Sequence, residues 1–171
     1  MSQNSINFVA RDSGEAVSVV GDTYRLVTSG VQTDGAYAVI DMLVPPGGGP
    51  GPHSHDGFDE SFYVLEGEVE VGSEAGFYTA RAGDFVSIPK GGIVHQFQNK
   101  SKEIARVLCI AVPAGLELLF QEIGRPARLG EILPKPALGP VELQRFTTIA
   151  EKHGQKLYPP DYLERYRTKL A

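Results

Sequence analysis

From residue 16 to residue 112 short apolar runs alternate with breaks rich in glycine and proline. Residues 16–20 and 23–28 are two β-like runs divided by Gly21-Asp22, and a longer run over 36–44 is stopped by Pro45-Pro46. Gly47-Gly48-Gly49-Pro50-Gly51-Pro52 then forms a rigid, turn-rich loop. Further runs follow at 61–65, 69–71, 76–80, 85–88, 95–98 and 104–112, with Gly67, Gly72, Gly83, Gly91 and Gly92 among them. Many short strands at this spacing predict an all-β barrel or sandwich.

The period changes after residue 113. Leu116, Leu119, Phe120 and Ile123 recur at i, i+3, i+4 and i+7, which predicts one face of a helix over 114–123. A proline-rich connector spans 125–140. A second helix is expected over 141–153, with Leu143, Phe146 and Ala150 on one face and Gly154 as its stop, and a short third one after Pro159-Pro160-Asp161. About 55 residues of this composition would build only a thin core of their own. The helices are therefore expected to pack outside the barrel: one domain over 1–171, with the barrel at about 16–113 and a helical extension at about 114–171.

Composition narrows the classes. The 171 residues carry a formal charge of −5, and the one local basic cluster is Arg165, Arg167 and Lys169, read as a solvated helix end. A phosphate-gripping protein usually presents a basic face, so nucleic acid is not expected as a partner. The lone Cys109 sits in an apolar run and reads as a small buried residue. No apolar leader and no stretch of ~20 apolar residues is visible. The expectation is a soluble cytoplasmic protein with no membrane partner.

Chemistry concentrates on the histidines. His53 and His55 are two residues apart, so on a strand both imidazoles face one way. Glu60 opens the next apolar run and His95 opens a later one, from which a neighbouring strand could bring in a third imidazole. Three histidines and a carboxylate suit a divalent first-row metal. Alternation places Phe62 and Val64 inward with Glu60, and Phe97 inward with His95, predicting a largely apolar pocket; the plainer reading is that the phenylalanines only fill the barrel. Asp59 alternates outward. Glu66 shares the parity of Glu60 and is expected at the barrel mouth, and His153 at a helix end.

Written out, the two stretches are Gly47-x5-His53-x-His55-x4-Glu60-x6-Gly67 and Gly83-x5-Pro89-x2-Gly92-x2-His95-x3-Asn99. The first resembles the first motif of the cupin family at every fixed position. The second is similar to the second motif, with one extra residue between Pro89 and His95, read as a longer turn. Gly21-Asp22-Thr23-Tyr24-Arg25, the Val44-to-Pro50 lead-in, Phe62-to-Gly67 and Pro113-Ala114-Gly115 resemble single-domain cupins of the quercetin-dioxygenase-like type. The resemblance implies a double-stranded β-helix, the jelly roll, with His53, His55, Glu60 and His95 as metal ligands and Glu60 also able to act as a base. Gly67 and Gly83 would serve as turns, and Asn99 as a side-chain cap.

Four ligands saturate tetrahedral zinc, whereas an octahedral Fe, Mn or Ni ion keeps two positions free, so these three are favoured over Zn, Co or Cu. The implied activity is a metal-dependent dioxygenase on a small aromatic or flavonol-like compound, with Glu60 taking a proton. A metal-dependent isomerase, lyase or decarboxylase, or a non-catalytic small-molecule-binding barrel, stands as the alternative, since one fold serves all of them. A homodimer is implied too, with the N-terminal strands and the 114–123 helix as candidate covers for open sheet edges.

Overall fold

The computed structural model describes residues 6–169. Two antiparallel sheets hold the chain. The first contains β1 (Glu15–Val19), β2 (Asp22–Thr28), β3 (Ala38–Val44), β5 (Asp59–Glu66), β8 (Phe85–Ile88), β10 (Ala105–Val112) and β11 (Arg125–Pro126), in the order β11-β1-β2-β3-β10-β5-β8. The second contains β4 (His53–His55), β6 (Glu68–Ser73), β7 (Gly76–Arg81), β9 (His95–Gln98) and β12 (Gln155–Leu157), in the order β12-β4-β9-β6-β7. Helices are few: α1 (Gly30–Thr33), α2 (Leu116–Ile123) and α3 (Pro140–Lys152), followed by a 3-10 turn at Glu164–Lys169. The all-β jelly roll is thus present.

Strand alternation makes the core. In β10 the residues Ala105, Val107, Cys109 and Ala111 are buried, and the residues between them are not. Such period-2 burial is what a sheet with one face on the core produces. Phe62 of the first sheet meets Phe97 of the second edge to face, with ring centroids 5.0 Å apart. Both phenylalanines therefore fill the interior between the sheets, the plainer of the two readings.

Two local departures correct the alternation and charge readings. Opposite β10, the register of β5 jumps from Val107↔Val64 to Arg106↔Glu66, so Leu65 is one residue too many. A bulge reverses the parity beyond it. Glu66 accordingly turns outward, is exposed, and pairs with Arg106, which also grips Asp41 through two nitrogens at 2.9 and 2.7 Å. At the other end of the chain, Arg167 is not a solvated helix end. Its guanidinium meets Glu70 at 2.9 Å and Glu164 at 2.8 Å, and lies over the Phe77 ring.

The C-terminal extension does more than lay helices on the outside. Helix α2 puts Leu116, Leu119 and Phe120 into the core shared with the sheets, Phe120 meeting Tyr24 with ring centroids 4.7 Å apart. The extension also contributes two strands the hydrophobic pattern did not predict: β11 on the edge strand β1, and β12 on β4. The edges that an open jelly roll leaves at β1 and β4 are thereby paired within the chain.

Candidate metal centre

Strand β4 is only three residues long, but its geometry sets the cluster. His53 and His55 point to one face, and β4 pairs with β9 through His53↔His95. Three imidazoles thus come from two adjacent strands. Glu60 enters from β5 of the facing sheet, and all four side chains are buried. One donor atom from each lies within 4.8 Å of every other. The extra residue ahead of His95 is absorbed where Gly91 and Gly92 both have positive φ, 113° and 86°, so the strand still opens on His95.

The rings are oriented from behind. Nδ1 of His53, His55 and His95 lies 2.9, 3.0 and 3.0 Å from the carbonyl oxygens of Gly51, Phe58 and Ile93. A carbonyl only accepts, so each Nδ1 is the protonated donor and each Nε2 is left as a lone pair facing inward. Phe58 also stacks on His55 with ring centroids 4.0 Å apart. On the other side, Glu60 Oε2 is 3.2 Å from Nε2 of His55 and 3.3 Å from Nε2 of His95. Two lone-pair-bearing atoms at that separation repel unless a cation lies between them. The spacing is close to the ~3 Å expected between neighbouring donors about 2.1 Å from one ion.

Electrostatics agree with this geometry. Burial is the main cause that pulls the His53 pKa down to about 4, with the neighbouring His95 adding to it, so the ring is neutral and free to bind an ion at neutral pH. Burial pushes Glu60 up, but its contacts with His55 and His95 and the nearby His53 outweigh it, holding the carboxyl below the usual range. Glu60 has a further partner that sequence reading missed: the Cys109 thiol donates to Oε1 at 3.4 Å. Burial and the nearby Glu60 charge push that thiol well up, so it stays a protonated donor. The His53, His55, Glu60 and His95 cluster could hold a divalent metal ion.

Residues 40–111 match the cupin domain family, a span that includes all four donors. The chain carries a cupin domain. It is 30% identical over 125 residues, 72% of its length, to the quercetin 2,3-dioxygenase of Bacillus subtilis (strain 168), of which it covers 36%. It is 33% identical over 106 residues, 59% of its length, to germin-like protein subfamily T member 3 of Arabidopsis thaliana, of which it covers 44%. The chain therefore spans less than half the length of either curated relative. Among solved structures, the polyketide cyclase RemF of Streptomyces resistomycificus superposes with a TM-score of 0.58 at 19% identity, over 85% of this chain and 99% of that one. That likeness is one of fold.

The other predicted residues of the cupin domain fall into place around the cluster. Gly67 and Gly83 take positive φ of 71° and 97° at turns. Asn99 is fully buried; its amide donates to the carbonyls of Val44 and Glu103, and its oxygen accepts from Ser101. Asp59 faces away from the cluster and accepts the Lys90 N–H at 3.1 Å. His153 ends α3 and contacts Glu122 at 2.7 Å. The apolar cavity is not where alternation put it. Phe62, Val64 and Phe97 lie in the packed interior, whereas a cavity of about 390 Å³ reaches His53 between the 48–52 loop, α2, α3 and β12. Among the described residues no helix is long and apolar enough to cross a membrane.

Proposed function

We propose that the chain is a metal-dependent dioxygenase acting on a small aromatic or flavonol-like compound, with His53, His55, Glu60 and His95 as the metal ligands. The observation that carries this reading is the triad of Nε2 lone pairs turned toward Glu60, each ring fixed by a backbone carbonyl behind it. Its second support is the partial match to a quercetin 2,3-dioxygenase. A divalent ion bound there would supply a Lewis acid with positions left for substrate, which favours Fe, Mn or Ni over Zn, Co or Cu. Glu60 is the group placed to accept a proton from a substrate hydroxyl, and Cys109, donating to its second oxygen, steadies the carboxylate while it does so. The chain spans 36% of that enzyme, and this favours keeping a second reading: an isomerase, lyase or decarboxylase on the same four ligands, or a barrel that binds without turnover. A cytoplasmic homodimer is part of the proposal. The exposed cross-strand pair Tyr63 and Phe85 offers the second copy an apolar landing place, and sedimentation would reveal it.

Metal analysis by plasma mass spectrometry on untagged protein, followed by oxygen uptake with flavonols and catechols, tests the reading. About one Fe, Mn or Ni per chain and uptake with one of these substrates is the expected result. Turnover without uptake selects an isomerase, lyase or decarboxylase, and a chain that takes up no metal even on reconstitution overturns every metalloenzyme reading and leaves the binding barrel.

A further inference from the structure

Asp22 opens β2 at the rim of the cavity that reaches His53, and it is an unusual carboxylate. The residue is 3% exposed. One oxygen, Oδ2, accepts two hydrogen bonds, from the Tyr24 hydroxyl at 3.0 Å and from the Gly49 N–H at 3.0 Å. The other, Oδ1, is buried and has no hydrogen-bond partner among the described residues. Buried polar atoms are nearly always paired, so one that is not needs a reason. Burial, the largest influence, lifts this carboxyl to about 6 despite the Tyr24 and Gly49 hydrogen bonds and the Lys135 charge. The protein tolerates that cost at a position where none of the described residues bonds Oδ1.

That oxygen lies just beneath the cavity wall, where a glycine packs against it. Gly48 lies directly against it, and a Cβ on Gly48 would collide with Oδ1. Facing it across about 390 Å³ are Leu119 and Ile123 of α2, Leu143 and Phe146 of α3, and Leu157 of β12. His53 closes the inner end. A concave, mostly apolar space with one fixed acceptor is the usual form of a small-molecule site. Lys135 also lines the space and its charge already acts on Asp22, so the missing partner need not be a cation.

We infer that Asp22 Oδ1 anchors the ligand of this cavity by accepting a hydrogen bond from a hydroxyl on a small, largely apolar molecule, whose ring system lies against the C-terminal helices and points its far end at His53. The assignment rests on the proposed small-molecule site and not on its chemistry: it names the recognising residue and the ligand class, whatever reaction follows. It also gives the extension a role in recognition, because α2, α3 and β12 build most of the apolar wall.

Titration calorimetry on the full chain, as purified and after the metal has been stripped, tests this with three probes of one ring system. These are 2-naphthol, its methyl ether, and the methyl ketone 2-acetylnaphthalene. The naphthol should bind about ten-fold or more tightly than the ether, because only it pairs the buried acceptor. Asp22→Asn keeps the shape and turns an amide donor toward the cavity, so naphthol binding should fall about ten-fold and the ketone should become the preferred probe. Leu138→Trp, in the connector at the cavity wall, should weaken all three probes and stands as the test should the Asn variant not fold. Equal binding of naphthol and ether, unchanged naphthol binding in the Asn variant, no effect of the tryptophan, or no binding of any probe at millimolar concentration would each overturn the assignment. Because the stripped protein is measured too, these results are independent of metal content and oxygen uptake, which decide the proposed reaction.

Discussion

Two buried acids, Asp22 at the start of β2 and Glu60 near the start of β5, are treated differently. Glu60 is surrounded: two imidazoles on Oε2 and a thiol on Oε1. Asp22 is half held, with both hydrogen bonds on Oδ2 and, among the described residues, none on Oδ1. A third, Glu117, shows what a purely architectural acid looks like, since its two oxygens accept the N–H groups of Gly30 and Gly115 at 2.8 and 2.7 Å and join α1 to the start of α2. The contrast teaches that burial alone does not mark a functional carboxylate. What matters is which lone pairs the fold leaves without a protein donor, and whether they face a cation-sized cluster or an open cavity.

The largest effect should come from the crowded site. His53→Ala removes one of three oriented lone pairs and should lower metal affinity by at least ~100-fold, read as metal retained through dialysis. Near-stoichiometric metal in that variant would show that the centre is elsewhere. Next is the pH dependence of the metal-free protein, where the two sites oppose each other. The depressed pKa of His53 gives stability that is present above about 6.5 and lost as pH falls toward 4, whereas the raised pKa of Asp22 gives stability that is present below about 4 and lost as pH rises through 6. Asp22→Asn should therefore gain on the wild type between pH 4 and 6, by up to roughly 3 kcal/mol, and hold the gain above pH 6. Urea unfolding at pH 4 to 7 measures this, and a constant difference would mean that Asp22 carries no strained charge. The smallest change sharpens the contrast by its sign. Glu117→Gln leaves one of two buried N–H groups facing an amide donor and should cost about 1–3 kcal/mol at every pH, so a stabilised Gln variant would place Glu117 with Asp22.

The strands and the metal cluster were legible because each has a repeating or spaced signal. Alternation marked β10 and β8, and His-x-His, Glu and His at fixed spacings marked the four donors. Other features carry no such signal. Arg125–Pro126 and Gln155–Leu157 are too short to alternate, and they become strands only because β1 and β4 offer unpaired edges. Glu66 followed the parity of Glu60 until a single bulged residue turned it outward. Arg167 looked solvated because Glu70 and Phe77 are far away in sequence. Asp22 hid behind Gly21 as an ordinary turn residue. Its significance lies in an oxygen without a partner, and an absence of contact leaves no trace in a sequence.

The pairing of β12 with β4 also sets an order of events in the making of the protein. Gln155↔His55 and Leu157↔His53 join residues about 100 positions apart. At the ~5–20 residues per second of chain synthesis, several seconds or more pass after the histidine strand is made before its edge partner exists. During that interval His53, Ser54 and His55 present an open β-edge and imidazoles without their final cover, so ion capture on the ribosome would occur at a half-built strand. If the cluster takes up an ion as proposed, secure loading would belong to the period after the C-terminal extension has been synthesised and has folded back.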